Sequence, residues 1–373
     1  MYRLVLAGLA ASTLALSAQA PAAHAGRTRV YYVAADEVIW DYAPDSMDVI
    51  RGEPWDSVSA PMMVEGPRQM GSRVMKAQYR EYTDSTFTTL KPRSPRDAYL
   101  GLLGPVLRAE VGDTIRVVFR NNTRFPVTMH PHGVFYDKAS EGAPYQDGTS
   151  GADKDDDGVP RGGTHVYVWP VPERAGPTPE QGSTAFWMYH SHHSEVEDVN
   201  AGLLGPIIIS RRGALRPDGR PVDVDRELIV SFWEIDENAS LYTRLNVQRF
   251  WGTPDSAIYG FAFAKPTLGP DTPAHYRESM NGFVYGNMPM PQVHVGERVR
   301  WYIMGSTNFE IHAPHWHGNV VTLDHMRTDV MTILPMGMAI GDMVPDNPGT
   351  WLFHCHVAEH LLMGMQARYQ VLP

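Results

Sequence analysis

The chain has 373 residues, 43% of them hydrophobic, enough for two ordinary domains with sizeable cores. A formal net charge of −10 argues against a nucleic-acid surface and is compatible, as a weak field effect, with cationic substrates. The 33 glycines and 30 prolines suit many short strands and turns more than helices.

Residues 1–25 read as a secretory leader: Arg3 is the charged start, residues 5–16 the apolar run, and Ala23-His24-Ala25 a small-x-small cleavage site. The expected mature start is near Gly26, in a protein exported to a periplasmic or extracellular space. No later stretch is long and apolar enough to span a membrane. A single cysteine excludes an internal disulfide. An exported protein with one reduced cysteine is easiest to explain if a metal holds it.

A first strand is expected over residues 30–39, and polar surface loops rich in Pro and Met over 44–75. Residues 102–119 carry strand-turn-strand signals, 141–164 form a long Gly/Asp loop, and 185–189 and 205–210 are strands again. Residues 212–225, with Pro217, Gly219 and Pro221, read as a linker between one domain over 26–211 and a second over 226–373.

The second half repeats the first. Glu110-Val-Gly-Asp-Thr-Ile-Arg-Val-Val-Phe119 matches His294-Val-Gly-Glu-Arg-Val-Arg-Trp-Tyr-Ile303. Each half then has a His-x-His-Gly, His130-Pro-His132-Gly133 and His315-Trp-His317-Gly318, and later an aromatic strand ending in His-x-His, His190-Ser-His192 and His354-Cys-His356. The expectation is an all-β protein of two similar Greek-key sandwiches or barrels. Superposing the halves matches Cys355 with Ser191, His312 with Val127, His360 with Val196 and Met365 with Ala201.

Residues 351–353 lead into His354-Cys355-His356 like a strand, so the two histidines face one way and the cysteine the other. One short segment can then serve two metal sites. His360 and Met365 follow, and a thiolate, imidazoles and a weak thioether make up a blue-copper ligand set. Of sixteen histidines, ten lie in four motifs; setting aside His312 and His360 for the blue site leaves eight, four from each half. Eight imidazoles are too many for one ion and fit a cluster of three, and imidazole suits copper.

These residues resemble the four copper motifs of the multicopper oxidases. Residues 137–145, 169–176, 200–206 and 281–287 add a likeness to the ceruloplasmin-like branch in a compact two-domain form. The resemblance covers most of residues 28–373 and implies two cupredoxin-like domains. It implies four copper ions: a blue type 1 ion on His312, Cys355, His360 and Met365; a type 2 ion on His130 and His315; and a type 3 pair on His132, His190, His192, His317, His354 and His356. It implies a small reductant, dioxygen as acceptor, Glu141 as an acid near the cluster and Tyr136 beside the type 2 ion. It also implies a homotrimer with copper clusters between subunits. Asp153, Asp156 and Asp157 match the opening of a calcium loop, but Thr164 stands where the closing glutamate belongs; a solvated acidic turn is the competing reading.

Two substrate classes follow. One is a phenol or aromatic amine, as in a laccase. The other is a metal ion, Fe(II) or Cu(I): Glu359 matches one acid of the iron site that the ceruloplasmin-like resemblance implies, Glu278 stands where that site has a histidine, and Pro273 replaces a further acid. A two-domain copper nitrite reductase needs only one non-blue copper on three histidines, so eight cluster histidines argue against it. A scaffold with decayed sites is opposed by the complete ligand set.

Overall fold

The computed structural model describes residues 26–66, 69–217, 219–251, 275–306 and 310–373. The expected leader and Pro273 lie outside these. The strands of residues 28–210 form two four-stranded sheets. One runs Arg73–Tyr82, Thr28–Asp41, Thr114–Asn121, Thr164–Pro170, and the other Leu107–Glu110, Leu204–Ser210, Thr184–His190, His130–Pro131. The strands of residues 226–372 repeat the plan. A six-stranded sheet is built on Arg226–Asp236 and Val299–Gly305, and a four-stranded one runs Gln292–His294, Gln366–Leu372, Gly349–Cys355, Pro314–Trp316. In both halves the first long strand lies parallel to a later one, Thr28 opposite Thr114 and Arg226 opposite Val299. Alternating apolar residues explain the pairing: Ile115, Val117 and Phe119 are wholly buried while their neighbours are not. Among the described residues no helix is long and apolar enough to cross a membrane.

Of residues 44–75, expected as surface loops, many of those described are exposed, but part of the stretch packs on the second half. Val49 N–H donates to the Tyr285 carbonyl at 3.0 Å, and Met62, Met63 and Met70 are buried. Flexible thioether side chains fill an irregular interface that a count of polar residues does not reveal. The apolar core of the second half runs through this segment into Leu100, Leu102, Leu103, Phe186 and Ile208. The end of the expected linker is also tied down, with Asp223 accepting from Ser183 and Arg300, and Asp225 from Arg298.

A buried ion pair bridges the halves. Lys76 Nζ lies 2.9 Å from Glu237 Oε1, both side chains being fully buried, and it also donates to the Asn200 carbonyl. Tyr42 donates to the same Glu237 oxygen at 2.5 Å. Removing one partner strands a buried charge. Lys76→Met or Glu237→Gln is therefore expected to destabilise the protein by roughly 3–5 kcal/mol in denaturant unfolding, and the double replacement by apolar residues to cost less than the two singles added.

Candidate metal centres

The strand Gly349–Cys355 carries Cys355 inward and its two neighbours outward. On the inner side Cys355 Sγ lies 3.4 Å from His360 Nδ1 and 4.0 Å from His312 Nδ1, and the two nitrogens are 3.1 Å apart. All three residues are fully buried. The strand end and the short helix Ala358–Leu362 are fastened by Cys355 N–H to the Met365 carbonyl at 3.1 Å and Met365 N–H to the His360 carbonyl at 2.9 Å; Met365 is fully buried. Burial, with His360 beside it, holds His312 down to about 3, and burial pushes the Cys355 thiol up. A neutral imidazole keeps its lone pair for a metal, and a cation would draw the thiol to thiolate. The donor set, one sulfur and two nitrogens converging in an apolar pocket, suits copper.

His360 turns its other nitrogen to Glu310, Nε2 to Oε2 being 2.6 Å. Sequence reasoning missed Glu310. The available signal was its place two residues before His312.

On the outer side the histidines form two quartets of the same design. His130 lies with ring centroids 5.5, 5.6 and 5.1 Å from His132, His190 and His192. His315 lies 4.8, 5.3 and 5.2 Å from His317, His354 and His356. His132 and His190 approach through Nε2 at 3.1 Å, as do His317 and His354. In four of the eight rings Nδ1–H donates to a backbone carbonyl: His130 to Glu141, His190 to Ser191, His315 to Asp329 and His354 to Cys355. That fixes the tautomer and leaves the Nε2 lone pair as the donor a metal could use. Burial and the neighbouring imidazoles hold His132 at about 4; at His354, also at about 4, the Cys355 carbonyl works against burial. Neutral rings can converge without repulsion. Among the described residues no ring contact or hydrogen bond joins one quartet to the other.

The second glycine-bearing motif element has a packing reason. Gly133 and Gly318 sit at φ +77° and +72°, and a Cβ on either would run into the indole of Trp187 or Trp351, each three residues before a His-x-His pair. The tryptophan thus braces the strand that carries one histidine pair against the turn after the other.

The two halves differ where the blue-site residues stand. His190 pairs with Leu204 and His354 with Gln366, so Leu203, not Ala201, is the counterpart of Met365. Leu203 N–H donates to the Asp198 carbonyl at 3.1 Å as Met365 N–H does to His360, so Asp198, not Val196, is the counterpart of His360. The reason is length: the helix after the first pair spans Glu195–Ala201, seven residues, and that after the second Ala358–Leu362, five. The matches of Ser191 with Cys355 and Val127 with His312 agree with the structure, Val127 and His312 each forming the equivalent isolated bridge.

The remaining expected residues fall as follows. Tyr136 packs edge-on against His130, centroids 5.7 Å apart. The Glu141 carboxylate is held by Lys138 at 2.6 Å and Tyr145 at 3.0 Å rather than by a histidine; its carbonyl, not its acid group, meets the quartet. Glu278 is buried on the strand Tyr276–Met280, near enough to Cys355 to act on its thiol, and Glu359 is exposed on the helix that holds His360. The three loop aspartates do not converge. Asp153 is exposed, Asp156 accepts from Gly142 N–H at 2.6 Å, and Asp157 pairs with Lys154 at 3.1 Å, an ammonium that also binds Asp147 at 2.9 Å.

Gly318→Ala is expected to destabilise the protein by about 1–3 kcal/mol through overpacking against Trp351. Gly296→Ala, also at positive φ (+78°) but with open space around it, should cost only the backbone strain common to both sites, about 1–2 kcal/mol, and so less than Gly318→Ala, where overpacking is added. Denaturant midpoints of the two variants compare them directly.

Two family models described as multicopper oxidase match residues 100–214 and 265–373, more than half of the chain. Ferroxidase HEPHL1 of Mus musculus is 40% identical over 348 residues, covering 92% of this chain and 29% of its own length. Ceruloplasmin of Ovis aries is 36% identical over 352 residues, covering 93% of this chain and 33% of its own length. The chain thus spans about a third of the length of these curated relatives. A solved multicopper oxidase shares the fold at 18% identity, with a TM-score of 0.53 over 93% of this chain and 90% of that one. Two repeated cupredoxin-like sandwiches, a Cys-His-His centre and two histidine quartets place the chain in the multicopper oxidase family, in its ceruloplasmin-like branch.

Proposed function

We propose that this protein is a metal oxidase that couples one-electron oxidation of Fe(II) or Cu(I) to the reduction of dioxygen to water. The observation that carries the substrate is the Glu310 carboxylate on the outer nitrogen of His360. A carboxylate there suits a cation more than a neutral phenol, and Glu278 and Glu359 add acidic groups on adjoining elements. The relatives named ferroxidase point the same way, so the metal substrate is preferred over the phenol that heads the sequence-based alternatives.

His312, Cys355, His360 and Met365 would hold a type 1 copper, His130 and His315 a type 2 copper, and His132, His190, His192, His317, His354 and His356 a type 3 pair. Bound copper supplies one-electron transfer at the first site and dioxygen reduction at the other three. The chain's own part is positional. Glu310 accepts from His360 Nε2–H and so keeps Nδ1 turned to the sulfur. Cys355 shares a backbone with His354 and His356, which ties the two sites by the shortest covalent route the fold offers. Tyr136 shields His130, and the Glu141 carbonyl sets its tautomer.

Each quartet alone offers half of a three-ion cluster. The partly exposed His132, His192, His315 and His317 and the exposed His356 are suited to meet the complementary quartet of a neighbouring chain. We infer a closed homotrimer with the clusters at its interfaces, since a head-to-tail contact that closes uses every quartet.

Three measurements test this. Purified protein should hold four coppers per chain and migrate as a trimer, and chelation of copper should abolish oxygen uptake. Glu310→Gln keeps an acceptor oxygen for His360 Nε2–H but loses the charge, so iron(II)-driven oxygen uptake should fall at least tenfold while phenol-driven uptake falls far less. Equal iron kinetics in the variant and the parent would sink the metal-oxidase reading and restore the phenol.

A further inference from the structure

The first half keeps the frame of the blue site but fills it with hydrogen bonds. Thr128 N–H donates to Ser191 Oγ at 2.9 Å, where in the second half Ala313 N–H donates to Cys355 Sγ at 3.3 Å. Ser191 Oγ–H donates to Asp198 Oδ2 at 2.6 Å, where Cys355 Sγ faces His360 Nδ1 at 3.4 Å. The same Asp198 oxygen accepts from Ser194 N–H at 2.9 Å. Ser191 and Asp198 are fully buried, and the other carboxylate oxygen, Oδ1, has no hydrogen-bond partner among the described residues. A carboxylate buried with half its acceptors unused costs stability, so packing alone does not account for it. What it does hold is the residue between His190 and His192.

We propose that Asp198, acting through Ser191 and Ser194, is a positioning residue for the metal-binding histidines His190 and His192. It ties the strand Thr184–His190 to the helix Glu195–Ala201 as copper would tie Cys355 to His360 in the second half. This rests on the copper-cluster reading above. Ser191 sits between the two ligands as Cys355 does between His354 and His356, so a lateral shift of its Oγ moves both imidazoles. The first half therefore has its ligand pair pre-set by protein groups alone, before any metal arrives.

The test uses the full chain, with Asp198→Ala, Ser191→Ala and Asp198→Asn. Copper affinity is read by chelator competition, with the near-ultraviolet band reporting the cluster and the visible blue band reporting Cys355. Asp198→Ala and Ser191→Ala are expected to weaken cluster copper by about 10- to 100-fold and to leave the blue band in place. Asp198→Asn, which keeps an acceptor oxygen, should recover most of the loss. Unchanged cluster affinity in both alanine variants overturns the proposal, and so does an equal loss of both bands, which would mark a general structural effect. If Asp198→Ala does not fold, Ser191→Ala, which removes one oxygen, decides alone. A parent protein with one copper and a blue band but no cluster would instead refute the four-copper reading, and that is seen before any variant is made.

Discussion

A β-strand turns successive side chains to opposite faces, and the chemistry of this chain depends on that alternation at residues 354–356. Cys355 goes in to His312 and His360; His354 and His356 go out to His315 and His317. Two sites of different character therefore share one strand, an enclosed sulfur–nitrogen site and an open all-nitrogen one. Neither can move without the other. The first half repeats the alternation at 190–192 with serine in the centre, so it keeps the outward pair and gives up the inward metal.

The rest of the fold serves to hold those strands at the required places. Each pair is braced by a tryptophan three residues earlier, which packs on the glycine that closes the facing motif. Backbone carbonyls fix which ring nitrogen is left for a metal. The two sandwiches are then joined by apolar surface and by the buried Lys76–Glu237 pair. Apolar burial supplies the attraction, and the ion pair tolerates only one relative placement, because a displaced charge would be left without a partner.

Much of the site was legible in the sequence because metal ligands have few substitutes and strands have a fixed period. Spacing and donor type separate Cys355, His312 and His360 from the eight other motif histidines, and the structure keeps that division, with the eight in two quartets. The second half read as a copy of the first because turn glycines and β-branched runs recur at matching intervals. The sorting failed where a helix intervened. Two extra residues in Glu195–Ala201 shift everything beyond it, so Val196 and Ala201 looked like counterparts of His360 and Met365 when Asp198 and Leu203 hold those places. Glu141 is expected as an acid near the cluster; it lies beside His130, which its carbonyl meets, while Lys138 and Tyr145 hold its carboxylate, a contact that spacing does not show.

The sequence by itself determined the kinds of donor atom, their grouping in four motifs, the doubled β architecture and the opposite facing of Cys355 and its histidine neighbours. These depend on residue type and on local backbone period, which a chain carries wherever it folds. Only the tertiary structure decided that Glu310 lies on His360, that Asp198 holds Ser191, that Tyr42, Met62, Met63 and Met70 belong to the apolar core of the second half, and that among the described residues no ring contact or hydrogen bond joins the two quartets. Each of these joins residues from separate elements, and such distances follow from how whole sheets pack, which no local spacing encodes.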